Sequence, residues 1–208
     1  MTVEGFHHLK GFAHARAGEL ADAALDVARR APWLQPATPG GGAMSVQITS
    51  CGRVGWWSDR RGYRYIEHHP ETGMPWPPVP EPVAAVVRDA LDAVGHGGPY
   101  VVDSCLVNLY RNGAKMGLHR DEDEQDRTAP IVSISLGDSC EFLIGGHKRS
   151  DPASAHLLRS GDVVVLARAA RNCFHGVRRV FTGSSDLVPG CRINLTARQV
   201  WSIQTLRR

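Results

Sequence analysis

The sequence has no paired cysteines, no long apolar run and no strong charge of either sign, and each absence excludes something. Its five cysteines, Cys51, Cys105, Cys140, Cys173 and Cys191, are odd in number, widely spaced and never in a C-x-x-C pair. This argues against a disulfide framework and a cysteine zinc site, and fits reduced thiols in a cytosolic protein. No apolar stretch approaches membrane-spanning length, and the first residues lack the basic and apolar regions of a secretory signal. A soluble, cytoplasmic chain without a membrane partner is therefore expected. A net charge of +3 over 208 residues permits a polyanionic partner without requiring one. Repeats, heptads and low-complexity tracts are missing too, so a single domain spanning residues 1–208, acting as a monomer, is the expectation.

What is present changes in texture along the chain. Residues 15–30 carry Leu20, Ala23, Ala24 and Val27 at helical spacing before Pro32 ends the pattern. A second helix is predicted from Pro82, with Val83, Val86, Val87, Ala90, Leu91 and Val94 on one stripe and Gly95 as the stop. Between them, residues 36–82 are rich in Gly, Pro, Trp, Tyr and Arg and read as loops and short strands. From Cys105 onward the pattern is one of short strands, at 105–110, 131–136, 141–144, 163–167, 172–180 and 191–200, separated by turn signals such as Ser160-Gly161-Asp162. Many short strands without intervening helices imply an antiparallel sandwich or barrel-like double sheet. The fold class is thus mainly β with some α: helices and a lid over residues 1–100, and a β core over 101–208.

Two constellations carry chemistry. His119 and Asp121 are two positions apart, so in an extended chain both side chains point the same way and converge on one ion. His175, in a later strand, can complete the set. Two imidazoles and one carboxylate on one side of a metal leave positions open for oxygen and a co-substrate, as in non-haem iron oxygenases, although zinc accepts the same ligands. The second constellation is Arg192, Asn194, Thr196 and Arg198, which share one strand face while Ile193, Leu195 and Ala197 share the other. The two arginines stand roughly 20 Å apart along an ideal strand, and their long arms suit the two ends of a short dicarboxylate. Arginine pairs with carboxylate through a planar, two-pronged fork. Asn108 and Tyr110, again two apart, add neutral donors. Taken alone, each pattern also fits a solvent-facing strand.

The run from Cys105 to Glu124, with Asn108, Tyr110, Gly113, His119, Asp121 and Asp123 in place, resembles the central signature of the bacterial AlkB family. His175 and the Arg192-x5-Arg198 segment resemble its other two signatures in order and spacing. The likeness also reaches back to Thr38-Pro39-Gly40-Gly41, Met44-Ser45-Val46, Gly55-Trp56 and Gly62-Tyr63-Arg64-Tyr65. The resemblance implies a double-stranded β-helix, or jelly roll, preceded by a substrate-recognition lid. It also implies oxidative removal of alkyl groups from bases of the 1-methyladenine and 3-methylcytosine type, with 2-oxoglutarate and O2 converted to succinate and CO2.

By the same resemblance, His119, Asp121 and His175 hold Fe(II). Arg192 meets the distal carboxylate of 2-oxoglutarate, and Arg198 lies near the carboxylate beside its keto group; Asn108, Tyr110 and Asn194 assist. Trp56, Tyr63, Arg64 and Tyr65 contact the base, with Asp123 and Arg149 across the pocket. The implied partner is DNA, single-stranded or with a flipped-out base, or RNA. The aromatic and basic mixture around Trp56 suits base stacking and phosphate steering, while Trp76 and Trp57 also suit a small core under the loops. Leu166 stands where bacterial relatives carry a bulky aromatic, and residues 168–173 also depart from them. A same-fold oxygenase acting on modified tRNA, protein or a small metabolite, or a binding module without catalysis, shares much of this pattern. The intact ligand set argues against the last, and the lid against a free metabolite.

Overall fold

The computed structural model describes residues 3–111 and 113–202. Along the chain, β1 (Phe6–Leu9) leads into helix α1 (Ala17–Arg30), β2 (Gln47–Gly52), and a hairpin of β3 (Gly55–Asp59) and β4 (Gly62–Ile66). Helix α2 (Glu81–Ala93), β5 (Ser104–Tyr110), β6 (Met116–His119), β7 (Ile131–Gly137) and β8 (Ser139–Ile144) follow. Then come β9 (Ser154–Leu158), β10 (Val163–Leu166), β11 (His175–Phe181) and β12 (Arg192–Arg198). A six-stranded sheet has the order β1-β10-β7-β12-β5-β2, and a four-stranded sheet the order β6-β11-β8-β9. All the pairings are antiparallel, and the strands alternate between sheets in the manner of a jelly roll.

The alternation along β12 decides where everything lies. Ile193, Leu195 and Ala197 point outward with Val107, Leu109, Val132 and Ile134, and bury against the apolar stripes of α1 and α2. Leu20, Ala24 and Val27 of α1, and Val83, Val87 and Ala90 of α2, close that layer. Gly95, at φ +72°, ends the turn after α2, its N–H donating to the Asp92 carbonyl. The opposite face of the same sheet looks toward the four-stranded sheet. Leu106, Tyr110, Ile131, Val164 and Leu166 pack there with Phe142, Ile144 and Val177. Arg192, Asn194, Thr196 and Arg198 share this inner face.

The structure corrects several sequence expectations. Residues 168–172 form a 3-10 turn rather than the start of a strand, so β11 begins at His175 itself. Strands β1, β6 and β9 were not expected; all are four or five residues long with mixed polarity, too short for periodicity to register. On α1 it is Ala21, not Ala23, that is buried. Strands β1 and β2, from the first hundred residues, complete the large sheet, which leaves the hairpin β3–β4 and its flanking loops as the part laid over the cavity mouth. Trp76 is core: it is buried, donates to the Ile66 carbonyl at 2.8 Å, and packs so closely on Gly55 that a Cβ there would sit 2.4 Å from its ring.

Because Leu20 is fully buried between α1 and the sheet, Leu20→Ala is expected to cost about 2–5 kcal/mol in urea unfolding. A loss below about 1 kcal/mol would show that the helical layer does not hold this sheet in place.

Candidate active site

Two histidines from different strands meet because of one glycine. β11 pairs with β6 so that His175 lies directly opposite His119, with an irregularity before Val177 meets Met116. The strands approach closely at Gly176, where an added Cβ would lie 2.6 Å from the Met116 carbonyl oxygen and 2.9 Å from that of Gly117. The two imidazole rings are consequently 4.5 Å apart between centroids. Asp121, just past the end of β6, turns its carboxylate toward both: Oδ1 is 3.9 Å from Nε2 of His119, and Oδ2 is 3.9 Å from Nε2 of His175. Ligand atoms of the three residues all lie within 4.8 Å of one another.

The free nitrogens are set by backbone partners. Nδ1 of His119 lies 3.0 Å from the Gly117 carbonyl and Nδ1 of His175 lies 3.1 Å from that of Cys173. Each carbonyl can accept a hydrogen bond from Nδ1–H, the tautomer that turns the Nε2 lone pair toward Asp121. Burial, reinforced by the neighbouring His119, lowers the His175 pKa to about 4. The ring is therefore neutral near pH 7, as a metal requires. For Asp121, burial works to raise the pKa, but Arg198 foremost, then His175 and His119, hold it well below the usual carboxylate range. Two imidazoles and one carboxylate gathered at one point fit a divalent metal, and the donor types fit Fe(II).

Beside this cluster lies a cavity of about 640 Å³ between the two sheets. On its floor Arg192 is 2% exposed. One guanidinium nitrogen donates to Ser135 Oγ at 3.1 Å and the guanidinium carbon lies 4.9 Å above the Tyr110 ring. Its Nε and Nη1 are buried without a partner. A buried cation with two idle donors is costly unless an anion fills the space before it. Asn108 and Asn194 stand opposite each other across β5 and β12, with Asn108 Nδ2 donating to Asn194 Oδ1 at 3.3 Å, while Oδ1 of Asn108 is also unpartnered. Burial pushes the Tyr110 phenol up to about 12, so it stays a neutral donor. This floor fits a small dicarboxylate such as 2-oxoglutarate.

Arg198 is placed differently from Arg192. It donates to Asp121 Oδ2 at 3.0 Å, and its Nε lies 3.3 Å from Glu124 Oε1 without the alignment of a hydrogen bond. Its charge is thus committed first to the metal-facing carboxylate.

At the mouth, Trp56 and Tyr63 stack at 5.6 Å and 18° between planes, and the Trp56 indole donates to Asp123 Oδ2 at 2.7 Å. Both aromatics and Asp123 line the cavity, as do Arg149 and Arg120, whose guanidinium groups each lie 5.4 Å from the Phe174 ring. Two of the residues expected to contact a base are elsewhere. In the β3–β4 register Trp56 faces Tyr65 and Ser58 faces Tyr63, so Arg64 falls on the other side of the hairpin, where it pairs with both oxygens of Asp59 at 2.8 and 2.7 Å. Tyr65 shares the Trp56 face but does not line the cavity; its hydroxyl donates to Glu124. Phe174, Arg120 and Glu124 were not anticipated. Phe174 adjoins the ligand His175 and was legible on that ground alone.

A family model described as the 2OG-Fe(II) oxygenase superfamily matches residues 5–198. The alpha-ketoglutarate-dependent dioxygenase AlkB homolog of Caulobacter vibrioides is 52% identical over 182 residues, covering 86% of this chain and 80% of that protein. The chain belongs to the AlkB family of 2OG-Fe(II) oxygenases. The alpha-ketoglutarate-dependent dioxygenase AlkB of Escherichia coli is 44% identical over 191 residues, covering 92% of this chain and 88% of that protein. A solved structure, that of OsALKBH1, superposes with a TM-score of 0.80 at 30% identity, covering 96% of this chain and all of that one. This AlkB-family protein is accordingly an Fe(II)- and 2-oxoglutarate-dependent dioxygenase, and O2 is its second co-substrate.

Gly176→Ala in this AlkB-family chain removes no ligand, yet its methyl group must push β6 from β11. It is expected to cost about 1–3 kcal/mol in stability and to weaken Co(II) binding in an anaerobic absorption titration. Undiminished Co(II) affinity would mean that the close approach at Gly176 does not set the ligand spacing.

Proposed function

We propose that this dioxygenase removes alkyl groups from N-alkylated bases, of the 1-methyladenine and 3-methylcytosine type, in DNA or RNA, releasing each as an aldehyde. The observation that carries this reading is the stacked Trp56–Tyr63 pair fixed to Asp123 at the mouth of the cavity that holds His119, Asp121 and His175. Aromatic faces bind any base by stacking, and a base must leave the duplex to reach a recessed metal. Arg149 and Arg120, held over Phe174 on the rim, are suited to flanking phosphates. The free thiols of all five cysteines agree with a reducing, cytosolic setting.

Within this reading His119, Asp121 and His175 would hold Fe(II), while Arg192, with Asn108, Tyr110 and Asn194, would hold 2-oxoglutarate by its distal carboxylate. Bound iron, 2-oxoglutarate and O2 supply the oxidising power for hydroxylating the alkyl carbon, with succinate and CO2 as the other products. The protein's part is placement. Trp56 and Tyr63 would stack the base, and Leu118, Phe142 and Leu166 give the cavity part of its apolar wall. The hydroxylated group then leaves as an aldehyde as the ring nitrogen recovers its electron pair. Arg198 stays paired with Asp121 and keeps that carboxylate ionised.

Asp123 is suited to reading charge. Bases methylated at N1 of adenine or N3 of cytosine are cationic near neutral pH, whereas 1-methylguanine and 3-methylthymine are neutral. At about 4 Å and an effective dielectric near 20 a carboxylate attracts such a cation by roughly 4 kcal/mol before desolvation. About 1–2 kcal/mol surviving as discrimination corresponds to roughly a tenfold preference.

The test is incubation with Fe(II), 2-oxoglutarate and single-stranded oligonucleotides carrying each lesion, following formaldehyde and the oligonucleotide mass. Release from the cationic lesions, with a preference that collapses about tenfold in Asp123→Asn, is expected. Succinate formed without demethylation of any DNA or RNA oligonucleotide would overturn the nucleobase reading. A uniform loss of kcat/KM with the preference intact would mean that Asp123 only braces Trp56.

A further inference from the structure

Behind the metal cluster the chain buries a second group of charges that the chemistry described so far does not use. The side chains of Glu124 and Arg171 are each 1% exposed and pair at 3.0 Å between Glu124 Oε2 and Arg171 Nη2. Arg171 spends its other donors on backbone: Nε on the Ala129 carbonyl and Nη1 on the carbonyl of Asp121, each at 2.9 Å. Asp121 is therefore gripped twice, its main chain by Arg171 and its carboxylate by Arg198 at 3.0 Å. Both arginines face Glu124, since Arg198 Nε stands 3.3 Å from its other oxygen, Oε1. That oxygen also accepts the Tyr65 hydroxyl from the recognition hairpin.

A buried ion pair of this kind adds little net stability compared with apolar residues of the same size, because desolvation offsets the attraction. Its geometric effect is specific. Two carboxylates and two guanidinium groups form a closed set in which each arginine touches Glu124 and a different part of Asp121. The 3-10 turn that departs from strand geometry at residues 168–172 is what delivers Arg171 into it.

We propose that Glu124 is a positioning residue, which acts through Arg171 and Arg198 to aim the Asp121 carboxylate at the metal, with Tyr65 tying the recognition hairpin to the same mount. The proposal rests on the assignment of His119, Asp121 and His175 as metal ligands. It also gives Tyr65 a task other than touching the base. Removing the Tyr65 hydroxyl should loosen Glu124, and the disturbance should reach Asp121 through the arginines, although Tyr65 is not a ligand.

The experiment is an anaerobic titration of the full-length apoprotein with Co(II), reading both affinity and the visible ligand-field bands, for wild type, Asp121→Ala, Glu124→Gln and Tyr65→Phe. Thermal melting is followed in parallel. Loss of a hydrogen-bonded group behind a metal ligand typically weakens binding about 10–100-fold. Glu124→Gln is expected in that range with altered bands, and Tyr65→Phe is expected to shift the bands in the same sense with a smaller loss of affinity. If Glu124→Gln does not fold, Tyr65→Phe alone decides. Wild-type affinity and bands in a folded Glu124→Gln, or in Tyr65→Phe, would overturn the proposal and leave these residues a purely structural role. Wild-type Co(II) binding by Asp121→Ala would instead overturn the ligand assignment on which it rests.

Discussion

The register of β12 is the constraint on which the rest of the molecule depends. It lies between β7 and β5, paired along its whole length on both sides. Its alternate residues belong to two different environments: Ile193, Leu195 and Ala197 to the helical layer, and Arg192, Asn194, Thr196 and Arg198 to the cavity. Because side chains alternate with period two, a slip of one residue would drive two guanidinium groups into the apolar layer and expose three apolar residues to the cavity. The hydrophobic layer thus enforces the position of the charged one. Stability of the fold and placement of the anion-binding floor are the same fact seen from opposite faces of a strand.

The cavity that results is asymmetric in charge. Both guanidinium groups keep two buried nitrogens without a hydrogen-bond partner, but Arg198 is already paired with the Asp121 carboxylate, whereas Arg192 donates only to the Ser135 hydroxyl. On the proposed reading, a dicarboxylate entering this space would meet Arg192 with its far end and the metal-binding cluster with its near end. Asn108, Asn194 and Thr196 line the path between, and Tyr110, beside Arg192, is held in its protonated form by burial. Such preorganised donors need little rearrangement when an anion arrives. Selection for the length of the acid then follows from the separation of two fixed points rather than from any single contact.

Much of this was legible in the sequence, and the failures are instructive. His119, Asp121 and the alternating face of β12 could be read because period-two spacing is independent of tertiary partners. The helical layer was legible for the same reason. Arg64 was misplaced because a hairpin's sidedness depends on its register, and only the pairing of Trp56 with Tyr65 shows that Arg64 lies on the far face. Tyr65 is on the near face, but its hydroxyl bonds Glu124 below the mouth. Glu124 had no legible role in the sequence, and Arg171 lay in the 168–173 segment that departs from the family pattern. Their mutual burial comes from contacts between segments 47 residues apart, for which no local pattern exists. The short strands β1, β6 and β9 escaped because four or five residues of mixed polarity give no period to detect.

Arg192 is the fixed end of the proposed co-substrate site. The most direct measurement is calorimetric titration of 2-oxoglutarate into the protein loaded anaerobically with Fe(II), comparing wild type with Arg192→Lys. Lysine keeps the charge but not the planar fork, so a loss of about 1–3 kcal/mol, roughly fivefold to 150-fold in Kd, is predicted. Unchanged affinity in the folded, metal-loaded variant would contradict it, because the idle donors of Arg192 would then have no part in holding the diacid.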